Sequence, residues 1–313
     1  MGFGFQIPGH EFPGSEPVDT FDRILELATA AERSGWASVW VMDHFWQLPP
    51  LGGPTHPILE GWTLLGALAA RTERVQLGTL VTGVTYRNPA LVAKMATTLD
   101  VISKGRAICG LGAAWYDVEH VGLGFDYPRD GVRLDMLEEA LQICRAMFTE
   151  ETPSFSGTHY RIEQAYNLPR PLRGDIPILV GGGGEKRTLR LVAQYADACN
   201  VHGDPDIIRH KMAVIDRHCA DVGRDPAEIR RTWGGTLFLT ETADEAAGIE
   251  ALLRPAAGAE YDTNFIVGDE AAVVDEVAAL VDAGIDDFIV NMPTMPPSTV
   301  ERAGRVLTDR FGA

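Results

Sequence analysis

An acid and an imidazole stand side by side at Asp43-His44, where the apolar run Trp36-Ala37-Ser38-Val39-Trp40-Val41-Met42 stops. A neutral imidazole near a carboxylate can accept or donate a proton at neutral pH. Neighbouring residues of an extended chain point to opposite sides, so only one of the pair faces inward. His44 is taken as that one, with Asp43 orienting the structure around it; the alternative is a strand cap in which His44 binds a loop carbonyl.

Three further stretches carry chemistry of a different kind. Gly181, Gly182, Gly183 and Gly184 lie between an apolar strand and a helix. Amides without Cβ atoms suit a phosphate there, although a tight turn alone would need only two glycines. The run is neither a triphosphate loop nor a dinucleotide fingerprint, and Lys186 and Arg187 are free to face the phosphate or solvent. Thr79-Leu80-Val81-Thr82 places small hydroxyls where they could bond a planar heterocycle or belong to the core. Gly110-Leu111-Gly112 permits a flat ring to approach the backbone, and Trp46 and Trp115 are candidate substrate walls, with a packing role as the alternative for Trp115.

Other chemistries find little support. None of the eight histidines forms His-x-His or His-Glu-x-x-His, which leaves a metal site only as scattered ligands. No Gly-x-Ser-x-Gly elbow exists for a serine hydrolase. Cys109, Cys144, Cys199 and Cys219 are widely spaced without a C-x-x-C pair, as expected of buried free thiols in a cytoplasmic protein. A formal charge of −17 with no Lys/Arg run argues against a nucleic-acid partner. No secretory signal and no apolar run of membrane-spanning length is found.

The elements that must position these residues repeat. Apolar strands at 3–7, 36–42, 75–81, 106–112, 176–180, 196–201, 231–237 and 288–292 alternate with segments of helical spacing. Asn88-Pro89 is a strong helix start. Ser34-Gly35, Lys104-Gly105 and Ala283-Gly284 each sit just before a strand. The rhythm predicts parallel strands and, at a count of eight, a closed (βα)8 TIM barrel rather than an open doubly wound sheet. Residues 1–313 read as one domain with an insertion after strand 4, at about 149–175, where Phe155-Ser156-Gly157-Thr158-His159-Tyr160 looks like a small hairpin.

With those motifs in place the chain resembles the bacterial luciferase-like monooxygenase superfamily, and within it the branch that uses coenzyme F420. The resemblance rests on 36–45, on 77–89, on Gly105 through Trp115 and on Pro177 through Gly184, in the expected order, with 268–290 similar to the family's closing unit. It implies a TIM barrel, commonly a homodimer, holding a deazaflavin or, alternatively, FMN at the C-terminal mouth, and acting on a small-molecule substrate. It also implies that His44 lies beside the ring, Asp43 touches its pyrimidine side and Thr82 bonds its edge. Thr79–Leu80 would be a non-proline cis bond against the ring's back face, and Gly181 to Gly184 would take the phosphate. Sugar-phosphate dehydrogenases of the family have a glutamate directly after the Gly-x-Gly of strand four. This chain has Ala113 and then Ala114, with Glu119 further on, so the resemblance points away from a glucose-6-phosphate type. A reduced-flavin monooxygenase and a non-catalytic cofactor carrier are the competing readings.

Overall fold

The computed structural model describes residues 1–257, 264–293 and 295–312. The first half runs β1 (Gly2–Ile7), α1 (Thr20–Arg33), β2 (Ser38–Val41), α2 (Gly61–Ala69), β3 (Gln76–Thr79), β4 (Thr82–Gly83), α3 (Pro89–Ser103) and β5 (Ala107–Gly112). Two helices follow, α4 (Asp117–Leu123) and α5 (Asp130–Thr149), then an antiparallel hairpin of β6 (Phe155–Ser156) and β7 (Arg161–Ile162). The second half comprises β8 (Ile178–Gly181), α6 (Thr188–Tyr195), β9 (Ala198–Val201), α7 (Pro205–Val222), β10 (Arg230–Leu239) and α8 (Ala243–Ala257). It ends with β11 (Phe265–Gly268), α9 (Glu270–Asp282), β12 (Asp287–Asn291) and α10 (Pro297–Phe311).

Eight parallel strands close on themselves in the order β1, β2, β3, β5, β8, β9, β10, β12, with β12 pairing back on β1. This is the (βα)8 barrel that the strand count predicted. The helix starts follow their local chemistry: the Asn88 side chain accepts the Ala90 amide ahead of Pro89, and Asp204 and Asp269 cap α7 and α9 in the same way. Gly35, Gly105 and Gly284 all have φ near +90° to +106°, a region open to glycine at little cost, which explains why one stands before each of those strands. All four cysteines are buried free thiols.

Two elements escape the apolar rhythm. β11 pairs with the far half of β10, Thr236–Leu239, outside the closed ring; together with α8 it was not separated from its surroundings in the sequence. α4 carries no apolar stripe on its inner side, because it buries Glu119 and His120 and exposes Val118 and Val121. Hydrophobic periodicity cannot detect a helix whose inner face is polar.

A tryptophan fills the barrel. Trp40 packs with Leu179 and Ile289, and Leu80, Val81, Ile108 and Ala198 line the same interior. Its indole donates to Ser38 Oγ at 2.8 Å. The ring occupies space that neighbours would otherwise fill: a Cβ on Gly4 would fall 2.7 Å from Trp40 Nε1, and one on Gly78 2.8 Å from Cζ3. A separate, larger core lies between strands and helices. Gly78→Ala should therefore lower stability by about 1–3 kcal/mol through overpacking. Gly66→Ala in α2, with open space around it, should be neutral or stabilising by up to about 1 kcal/mol. Midpoints of urea unfolding followed by tryptophan fluorescence compare the two; equal effects would contradict the tight fit at Trp40.

Candidate active site

The strands that carry the expected site are consecutive in the barrel. β2, β3, β5 and β8 run parallel side by side, so His44, Leu80, Gly112 and Gly181 fall on one arc of the C-terminal face, where barrels of this kind do their chemistry.

His44 follows β2 by three residues, and its Nδ1 lies 3.0 Å from Glu119 Oε2. Glu119 comes from α4, is fully buried, and also accepts the amides of Phe45 at 3.1 Å and Trp46 at 3.4 Å. Burial pushes its carboxyl up, but the bond and charge of His44 and the Phe45 amide outweigh that and hold it below the ordinary glutamate value. A carboxylate at Nδ1 fixes the ring's orientation and leaves Nε2 as the atom at which a proton comes and goes. Trp115 and Tyr116 meet the imidazole edge-on, with centroids 5.7 and 5.9 Å away. Trp115 is 52% exposed, so it stands in the rim beside His44. Trp46 lies against α4, where only a glycine at 122 leaves room for its ring.

Asp43 points the other way and is buried. Both of its carboxylate oxygens are taken by the Arg87 fork, at 2.6 and 3.0 Å, and Arg87 reaches Glu60 at 2.5 Å. Burial raises the Asp43 carboxyl while the guanidinium opposes that shift. Glu60 caps α2 through the amides of Trp62 and Thr63. One arginine thus ties the end of β2, the start of α2 and the loop before α3 together.

Between β3 and β4 the chain breaks step at a non-proline cis bond. It joins Leu80 and Val81, one residue later than the Thr79–Leu80 position implied by the resemblance. Thr79 and Thr82 are buried and face each other at 2.9 Å, with Thr82 also accepting the Trp62 indole at 2.9 Å. Their hydroxyls are occupied within the protein. Val81 is half-buried beside them: a Cβ on Gly112 would meet its Cγ2 at 2.6 Å, and one on Gly181 would meet both methyls at 3.0 Å. The glycines of β5 and β8 make room for an apolar platform at the mouth.

The glycine turn carries on from there. Gly182 has φ of +122°, its amide donates to Asn200 O at 3.1 Å, and Lys211 of α7 donates to Gly183 O at 2.9 Å. Any Cβ on Gly183 would sit 2.8 Å from Lys211 Nζ. An anionic group could be received by glycine backbone beside that ammonium. Arg187 is instead bound to Asp135 and Gly131 O on α5, and Lys186 is exposed. The turn, the Val81 platform and the His44–Glu119 pair together fit a flat ring with a phosphate tail. Sequence reasoning named neither Val81 nor Lys211 as contacts and left Glu119 unplaced. Among the described residues no group of three or more His, Cys, Asp or Glu could hold a metal ion, and no helix is long and apolar enough to cross a membrane.

Comparison with known proteins bears on the family and the fold. The profile described as luciferase-like monooxygenase matches residues 1–257. A protein of Microbacterium testaceum named F420-dependent glucose-6-phosphate dehydrogenase is 31% identical over 228 residues, 72% of this chain and 64% of that protein. The match therefore spans less than two thirds of the relative's length. Among solved structures, an F420-dependent secondary alcohol dehydrogenase in complex with an F420-acetone adduct superposes with a TM-score of 0.81 at 21% identity, covering 99% of this chain and 98% of that one. An EDTA monooxygenase from Chelativorans sp. BNC1 gives 0.84 at 14% identity, covering 99% and 94%. At such identities the two structures establish the shared barrel.

One group predicts how the mouth responds to acid. His10, 2% exposed in the loop after β1, accepts the Leu59 amide at Nδ1 at 2.7 Å and so stitches that loop to the β2–α2 loop. Burial lowers its pKa from 6.5 to about 4. The unfolded chain then binds a proton that the folded chain refuses, so stability is fully present above pH 6.5 and is lost as pH falls toward 4. The loss should be about 3 kcal/mol. Urea unfolding across that window should show a flatter slope for His10→Asn; an unchanged slope would remove His10 as the cause.

Proposed function

This chain belongs to the luciferase-like monooxygenase family, and on that footing we propose that it is a coenzyme F420-dependent oxidoreductase acting on a small organic substrate. The observation that carries the reading is the buried Glu119 held on His44 Nδ1 at the barrel mouth, next to an apolar platform and a glycine turn that suit a flat ring with an anionic tail. Bound deazaflavin would supply the hydride acceptor or donor. Gly181, Gly182, Gly183 and Gly184, with Lys211, would hold its phosphate. Val81, set by Leu80 and Gly112, would back its ring, while Asp43, Thr79 and Thr82 keep that wall in place.

The chain's own residues then do the following. His44 Nε2 takes the proton of a substrate hydroxyl, or returns one in the reverse direction, and Glu119 balances the charge that develops on the imidazole. Trp46 and Trp115 shape the entrance and keep water from the reacting hydroxyl. Ala113 supports a substrate other than a sugar phosphate, since it stands where the resemblance expects the acid of that activity. The same resemblance supports a homodimer, and the charge of −17 without a Lys/Arg run speaks against a nucleic-acid partner. Light scattering of the purified protein would test the dimer.

Two measurements decide the reading. Purified protein titrated with F420 and with FMN should quench F420 fluorescence; quenching of FMN alone, with oxygen consumption on reduced FMN, would make it a reduced-flavin monooxygenase instead. His44→Ala and Glu119→Gln should each lower turnover by about 10²-fold or more while F420 quenching stays within a few-fold of wild type. Unchanged turnover in either variant would remove that residue from the proton path.

A further inference from the structure

Opposite the Val81 platform, the mouth is walled by the ends of β9, β10, β12 and β1. Ala198 lines the barrel interior, and alternation along β9 puts Asn200 and His202 on the same inward side. Gly234 faces them from β10: a Cβ there would fall 2.5 Å from Asn200 Oδ1 and 2.9 Å from His202 Cε1. The polar side chains of this wall are mostly committed. Asn200 donates to Thr232 Oγ1 at 2.8 Å, Asn291 is bonded to Thr236 and Gly235 O, and Gln6 donates to Leu80 O at 3.3 Å. Lys211 is spent on Gly183 O.

His202 is the exception. Its Nδ1 lies 2.8 Å from Gly234 O, and a carbonyl can only accept, so Nδ1 carries the hydrogen and Nε2 presents a lone pair. Among the described residues no protein group meets that Nε2. The residue is exposed to solvent, while the strand ends packed beside its ring still lower its pKa below the ordinary histidine value. The contrast with His44 is chemical. His44 has a carboxylate behind it, whereas His202 has a carbonyl behind it; burial first, and then the Lys211 ammonium, outweigh the pull of that carbonyl and favour the ring with a free lone pair.

We propose that His202 Nε2 is a substrate-recognition site that accepts a hydrogen bond from a second donor on the substrate, away from the reacting hydroxyl at His44. The substrate class that fits is a neutral molecule bearing two separated donors, such as a diol or an amino alcohol in its uncharged form. A phosphate ester meets only a lone pair at this point. This extends the oxidoreductase reading and rests on it for the role of His44, although the contact at His202 can be read separately.

The probes are cyclohexane-1,4-diol and 4-methoxycyclohexanol, which differ in whether the distal oxygen can donate. Imidazole nitrogen resonances of the full-length protein are recorded with each, with His202→Asn identifying the His202 signal. The spectra are taken with whichever cofactor quenches; if neither does, the cofactor reading fails and spectra of the free protein still test His202. The diol should shift His202 Nε2 and the methoxy analogue should not. An equal shift with both probes, or none with either, overturns the proposal. In turnover, His202→Phe should raise KM for the diol about tenfold with kcat within twofold, because a hydrogen bond lost from the bound substrate costs binding of that order. It should leave KM for the methoxy analogue unchanged. Equal losses on both substrates would mean that His202 only shapes the fold. Urea unfolding of His202→Asn and His202→Phe checks that both remain folded.

Discussion

A carboxylate with no exposure to water has to be met by donors, and the loop that leaves β2 supplies three of them to Glu119. His44 Nδ1 and the amides of Phe45 and Trp46 all turn toward it. An unpaired buried charge is among the most destabilising features a fold can contain, so that loop and α4 are locked to each other. The arrangement also accounts for the inside-out helix. α4 turns its polar side inward to deliver Glu119, and its apolar residues Val118 and Val121 are left outside.

The second buried charge cluster has a different task. Asp43, Arg87 and Glu60 are linked through one guanidinium, and what they join is scaffolding: a strand end, a helix start and the loop before the next helix. Adjacent residues, Asp43 and His44, thus serve opposite ends. One holds the wall together and the other faces the mouth. The pleat of an extended chain is enough to separate them.

Much of the barrel was legible because most of its strands are largely apolar and α3, α7 and α9 start on clear side-chain caps. Asn88-Pro89 and the glycines before β2, β5 and β12 say where the chain turns with no reference to anything distant. His44 was legible because it ends such a strand. Glu119 was not, since the seventh residue after Gly112 reaches His44 only through the path of a helix that carries no apolar signature. Val81 was hidden for a related reason: its importance comes from the missing side chains of Gly112 and Gly181 on two other strands. Pairwise facts of this kind are tertiary, and local pattern does not contain them.

The tryptophan lodged between Gly4 and Gly78 has a further bearing on the mouth above it. With Trp40, Leu179 and Ile289 closing the interior, the barrel is a well with one opening and no drain. Anything that enters such a well from the C-terminal face has to leave by that face, in the reverse of the order in which it entered.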